Sequence, residues 1–247
     1  MQKPLLLLFF LSVHQLRAQI PADWASAKGI TKHGDTLRSP GKMILLDQTG
    51  FPTQIWNYLA LGGKDTIAAD THRLAEGIHF HFTRSSDGKD IRLKSTGLVF
   101  TMQDAGRFEW KVADTSYELK MALEGSLDIY GTMHYQVRVT ALQDLELKEI
   151  SMHMPLRPDS NYTWKKDTSD ARRGRSLTRD TWTNIFITTD SAGWQYSLEG
   201  RQWDNAGKGG VTVGIKGRSL LANNYSGMHK MRKGDTLEYD FGFDSLP

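Results

Sequence analysis

The sequence predicts an all-β protein built as a large antiparallel β-sandwich, and three observations carry that prediction. Apolar and polar residues alternate strictly over several runs: Tyr117, Leu119, Met121 and Leu123 fall on one face, and Glu118, Lys120 and Glu124 on the other. Tyr135, Val137 and Val139 repeat the pattern, as do Leu145 and Leu147. Period two means one buried and one wet face, as in antiparallel sheet. The second observation is turn chemistry between the runs, supplied by Gly125-Ser126 and Gly131-Thr132. The third is the near absence of helical periodicity along a chain of 247 residues with seven Trp and eight Tyr, an aromatic load that a disordered chain does not carry.

Taken in order, the first element is a targeting segment. Lys3 is a positive n-region, residues 4–13 (PLLLLFFLSV) are a short apolar h-region, and Leu16-Arg17-Ala18 precedes Gln19. This reads as a secretory signal cleaved after Ala18. The apolar run is far short of the ~20 residues a membrane span needs, so no span is expected after cleavage. Residues 19–42 read as an N-terminal extension and 43–247 as the sandwich domain. Within it, strands are expected over residues 43–46, 78–83, 98–102, 108–112, 184–188, 193–198, 211–215 and 236–243, besides the three alternating runs. Asp87-Gly88, Asp104-Ala105-Gly106, Ser191-Ala192-Gly193 and Lys233-Gly234-Asp235 separate them. Residues 112–114 join two strand-rich portions without a Pro/Ser linker, which favours one continuous unit. Residues 157–181 read as a long loop, packed through Tyr162 and Trp164.

Composition narrows the function classes. There is no cysteine, which excludes disulfides and attachment of lipid to an N-terminal Cys. A secreted chain without disulfides points to a bacterial periplasm or surface. Removal of residues 1–18 takes away Lys3 and Arg17 and no acid, lowering the formal net charge from +3 to +1, so the basic pI is no argument for nucleic acid. Arg172, Arg173, Arg175 and Arg179 stand beside Asp167, Asp170 and Asp180, as on a solvated loop of mixed charge.

Candidate chemistry is sparse. A glycosidase needs two acids on either side of one bond. Glu124, Asp128, Glu146, Glu149, Asp190, Glu199 and Asp204 are available, but none forms a recognisable pair, so no catalytic residue is assigned. His79 and His81 share a strand face and could bind a metal together. No third ligand stands near in sequence, so they are read as polar-face histidines, and neither a metal nor a cofactor is assigned. The run 205–210 (NAGKGG) lacks phosphate-loop spacing and is read as a glycine-rich turn feeding a strand. Aromatic residues weigh most. Trp164, Trp182, Trp194, Tyr196 and Tyr225 are read mainly as core. Trp203-Asp204-Asn205 lies against glycines in a turn-rich stretch, so an exposed ring with adjacent hydrogen-bonding groups is expected there. Those three residues are the candidate carbohydrate-binding site.

Two segments resemble a known family. Residues 123–157 (LEGSLDIYGTMHYQVRVTALQDLELKEISMHMPLR) are similar to the N-terminal β-sandwich region of bacterial proteins related to glycoside hydrolase family 123. Residues 181–213 resemble its recurring features: a Trp before a strand, a D-x-x-G-W turn, and a W-x-N-x-G-K-G-G-V signature. Asn224-Tyr225-Ser226-Gly227 and residues 235–243 continue the likeness, which covers most of the chain from Met43 on. The resemblance implies a sandwich, for which a galactose-mutarotase-like supersandwich is one form, followed by a catalytic barrel. The barrel's adjacent Asp-Glu pair assists attack by the acetamido group of N-acetylhexosamines. This sequence has no Asp-Glu dipeptide, and the sandwich is expected to end near Pro247, so no catalytic residue carries over. The expected function is a secreted, non-catalytic module that supports a C-terminal catalytic barrel of the same polypeptide or contacts glycan. The rivals are an autonomous carbohydrate-active enzyme with acids in a sandwich groove, and a structural surface domain.

Overall fold

The computed structural model describes residues 29–57, 59–61, 64–66, 74–157, 162–167, 183–189, 193–200, 202–203, 205, 210–216 and 219–246. The expected signal and the Arg172–Arg179 cluster lie outside them. The described residues contain strands and no α-helix. In chain order they are β1 (Thr31–His33), β2 (Thr36–Ser39), β3 (Lys42–Leu46), β4 (Pro52–Asn57), β5 (Leu59–Leu61), β6 (Lys64–Thr66), β7 (His79–Arg84), β8 (Lys94–Ser95), β9 (Val99–Gln103) and β10 (Arg107–Thr115). They continue as β11 (Leu119–Asp128), β12 (Met133–Ala141), β13 (Leu145–Leu156), β14 (Tyr162–Asp167), β15 (Thr183–Thr189), β16 (Gly193–Glu199), β17 (Val211–Lys216), β18 (Ser219–Met231) and β19 (Thr236–Leu246).

The large sheet has nine strands in the order β14-β15-β16-β19-β12-β11-β10-β8, with β9 also on β10. A smaller sheet of order β17-β18-β13-β7 packs on it. A third sheet, β1-β2-β3-β4, precedes them, and β5 and β6 form a short hairpin. All pairings are antiparallel. The all-β sandwich expected from alternation is what the chain builds.

Alternation sets which side chains meet between the sheets. From the large sheet come Trp110, Val112, Leu123, Tyr135, Val137, Tyr239, Phe241 and Phe243, and from the small sheet Phe82, Met152 and Met154, all buried. Aromatic rings stack through the middle: Tyr135 lies 5.2 Å from Phe241 and 5.4 Å from Phe243, with interplanar angles of 17° and 6°. Phe51, in the β3–β4 turn, reaches into this stack, 5.4 Å from Tyr135 and 5.9 Å from Phe80. The third sheet is thereby anchored in the same core.

Five sequence expectations change. Strand pairing begins at Thr31, and Ile30 and Leu37 are core residues, so the fold starts before the boundary expected at Met43. Residues 112–114 are no joint but the interior of β10. Gly125-Ser126 is no turn either: both residues pair within β11, opposite Trp110 and Glu109. Gly125 is needed because a Cβ there would stand 2.4 Å from the Trp110 indole. Tyr117, placed on the buried face by alternation, is 85% exposed, because it precedes β11 in a turn closed by Ser116 Oγ accepting from the Glu118 and Leu119 amides. The expected loop at 157–181 holds one further strand, β14.

Candidate functional site

The outer face of the large sheet carries a polar groove. Its origin is register: residues that alternate outward on each strand line up across the sheet. Lys111 pairs with Glu124, Glu124 with Gln136, Gln136 with Asp240, and Asp240 with Glu199. One continuous row of hydrogen-bonding side chains therefore crosses β10, β11, β12, β19 and β16. A second row runs beside it through Glu109, Ser126 and His134. His134 faces Gly242 on β19, and the glycine leaves the imidazole room, since a Cβ there would lie 3.0 Å from its Nδ1. The rows enclose a cavity of about 320 Å³ bordered by Arg107, Lys111, Gln136, Glu199 and Asp240.

Charges in the groove are partly paired. Lys111 Nζ lies 2.7 Å from Glu124 Oε1, and Arg107 Nε lies 2.7 Å from Glu109 Oε1. The carboxyl of Glu199 is held above its usual range, first by partial burial and then by the neighbouring charge of Asp240. Two facing carboxylates, one with a raised proton affinity, can accept hydrogen bonds from hydroxyls and can exchange a proton.

The three candidate residues behave differently from the expectation. Trp203 is 5% exposed, packed against Tyr239 (5.0 Å), Phe241 (6.0 Å) and Phe80 (6.1 Å). Its expected exposure is thus corrected: glycines mark the stretch as turn, yet the backbone feeds the ring between the two sheets. The indole Nε1 donates to the Asp240 carbonyl (3.4 Å), so Trp203 holds from within the strand whose next side chains form the groove. Asn205 is half-buried with φ at +48° and lies against Gly227, where a Cβ would come within 2.2 Å of its Oδ1. Asp204 lies outside the described residues. Trp194 and Tyr196 are core, as read from the sequence. Trp182 and the side chain of Trp164 are outside what is described.

Sequence reading missed His134, Gln136 and Asp240 as a set. Each is one polar residue in an alternating strand, and only cross-strand register shows them adjacent. It also missed the partner of the paired histidines. His153 on β13 stands directly across from His79 on β7, 74 residues away in sequence by residue number.

The family described as glycoside hydrolase 123, third domain, matches residues 30–202 and 193–244. None of the curated proteins matches. Among solved structures, a putative aldose 1-epimerase from Escherichia coli K12 is 9% identical, with TM-score 0.46, covering 88% of this chain and 98% of its own. The Slr1438 protein from Synechocystis sp. PCC 6803 is 9% identical, with TM-score 0.45, covering 88% and 94%. A heparan sulfate lyase HepC mutant from Pedobacter heparinus is 9% identical, with TM-score 0.44, covering 85% of this chain and 33% of its own.

Proposed function

The chain belongs to the glycoside hydrolase 123 third-domain family, and on that premise we propose that it is a secreted, non-catalytic module that contacts glycan beside a catalytic domain of the same polypeptide. A glycoside-hydrolase-associated sandwich domain is what the family match establishes; secretion and glycan contact are the further steps. The observation that carries glycan contact is the unbroken polar row from Lys111 through Glu124, Gln136 and Asp240 to Glu199. A sugar presents donors and acceptors at close spacing around each ring. A row of carboxylates, an amide and an ammonium at cross-strand spacing matches that with little reorganisation. Secretion rests on the n- and h-regions of residues 1–18, and a bacterial periplasm or surface on the absence of cysteine. Among the described residues no helix is long and apolar enough to cross a membrane.

Titration of the purified chain with N-acetylhexosamine oligosaccharides tests this reading. Binding should be seen with the wild type and lost in Asp240→Asn and Gln136→Ala, with their melting temperatures retained. Absence of binding across such oligosaccharides would overturn glycan contact.

One observation favours a second reading, an autonomous carbohydrate-active enzyme: the Glu199–Asp240 pair, in which one carboxyl is raised by burial and by its neighbour. The two separate in a single assay. The module releases no chromophore from aryl N-acetylhexosaminides, whereas turnover abolished by Glu199→Gln would establish the enzyme.

A further inference from the structure

We propose that His79, His81 and His153 form a binding site for one divalent transition-metal ion of the zinc class. The site lies on the outer face of the small sheet and is separate from the polar groove. Strand geometry assembles it. His79 and His81 are two apart on β7, so their side chains leave the same face, while Phe80 and Phe82 between and beyond them point into the core. Antiparallel pairing then sets His153 directly opposite His79, and Ser151 opposite His81. One nitrogen from each of the three rings lies within 4.8 Å of the other two. The ring centroids are 4.8 Å apart for His79 and His81, 5.4 Å for His79 and His153, and 4.3 Å for His81 and His153. Two nitrogens on one tetrahedral ion, each bonded at 2.0–2.1 Å, stand about 3.3 Å apart. Half-exposed rings close the difference by small rotations about χ1 and χ2.

The hydrogen bonds around the cluster prepare two of the rings as ligands. His79 Nδ1 donates to the Gly77 carbonyl (2.7 Å), and His81 Nδ1 donates to Asp90 Oδ2 (2.9 Å). Both acceptors lack a proton to give, so Nδ1 carries the hydrogen and Nε2 keeps its lone pair for a cation. Carboxylate–imidazole–metal ordering of this kind raises the basicity of the ligand and fixes its tautomer. The carboxylate is placed by a local device. Asp87-Gly88 turns the chain back, with Gly88 at φ +68°, and Ile91 N–H bonds to the Phe82 carbonyl, which sets Asp90 beside β7. Thr83 Oγ1 holds its other oxygen at 2.8 Å. The two oxygens of Asp90 are thus held between Thr83 and His81, behind the cluster.

His153 Nε2 lies 3.2 Å from Ser151 Oγ, a hydroxyl that can rotate. Next across the sheet from His153 is Asn223, whose Oδ1 is buried and has no partner among the described residues. His79, His81 and Asp90 border a cleft of about 470 Å³, and all three imidazoles are partly exposed. The group found among the described residues is three imidazoles, which leaves a fourth coordination position for a further ligand. All-nitrogen donors select zinc, copper or nickel over calcium and magnesium.

The test uses the untagged chain, stripped with chelator and titrated with Zn²⁺ alone. One ion per chain is expected, with a rise in melting temperature. Binding should be lost in His81→Ala and in His153→Ala, weakened about 10–100-fold in Asp90→Asn, and kept in His33→Ala on the N-terminal hairpin. Co²⁺ on the wild-type chain gives a readout that needs no variant: intense visible bands of a four-coordinate nitrogen site support the assignment. Absence of binding at about 100 μM Zn²⁺, weak six-coordinate bands, or binding that survives both His81→Ala and His153→Ala would overturn it.

Discussion

At Trp203 the indole fills space between the two sheets while its N–H reaches the carbonyl of Asp240. One residue therefore serves the core and steadies a strand of the groove. Trp203→Ala should cost about 3–5 kcal/mol of stability, as for other large aromatic truncations in cores, read by denaturant unfolding. A loss below about 1 kcal/mol would mean that the ring is not packed as described. Glu199 supplies a second residue-scale prediction, with an electrostatic sign. Its carboxyl is held above the usual range by burial and by Asp240, so the charged form is disfavoured by folding. The penalty is complete above the folded pKa and disappears below the unfolded one. Glu199→Gln should accordingly raise the melting temperature near neutral pH and lose that advantage as pH falls below about 4, the ordinary range of a free carboxyl. An effect independent of pH would exclude this cause.

Among elements, the pairing of β10 with β11 shows how a single glycine fits a strand. Trp110 is fully buried, with Nε1 bonded to the Gly50 carbonyl at 2.9 Å, so its ring has nowhere to move. Gly125 lies opposite. Gly125→Ala should destabilise by about 1–3 kcal/mol or more through overpacking, measured as a fall in denaturation midpoint with unchanged slope. The sequence reading took Gly125-Ser126 for a turn because glycine and serine are turn residues by local chemistry. Locally nothing distinguishes a glycine that bends the chain from one that makes room for a ring delivered by another strand. The turn at Gly131 was legible for the converse reason. Its φ of +83° is a local demand, and Asp128 Oδ1 accepts from the Tyr130 and Thr132 amides within the same few residues.

For the molecule as a whole, the first hairpins are part of the sandwich rather than a leader to it. Ile30 N–H bonds to the Ala105 carbonyl, Leu37 is fully buried, and Phe51 joins the central aromatic stack. Removing residues 29–42 exposes the partners of Ile30 and Leu37, each worth about 2–5 kcal/mol. A chain beginning at Met43 should melt roughly 10 °C or more below one beginning at Gly29. Equal melting temperatures would restore the boundary at Met43.

Alternation by itself determined the class of fold, the positions of most strands of the two main sheets and the composition of the core. Period two is a property of one strand and its solvent, and needs no knowledge of neighbours. The resemblance to the glycoside hydrolase family was also legible, since it rests on contiguous residues such as the W-x-N-x-G-K-G-G-V run. What only the tertiary structure decided is everything set by register between strands distant in sequence. That includes the polar row from Lys111 to Glu199, the arrival of His153 beside His79 and His81, and the burial of Trp203. A strand's own sequence states which of its faces is polar. Which residues of another strand lie opposite is settled by the packing of both sheets around the aromatic core, an energy to which every strand contributes and that no local segment contains.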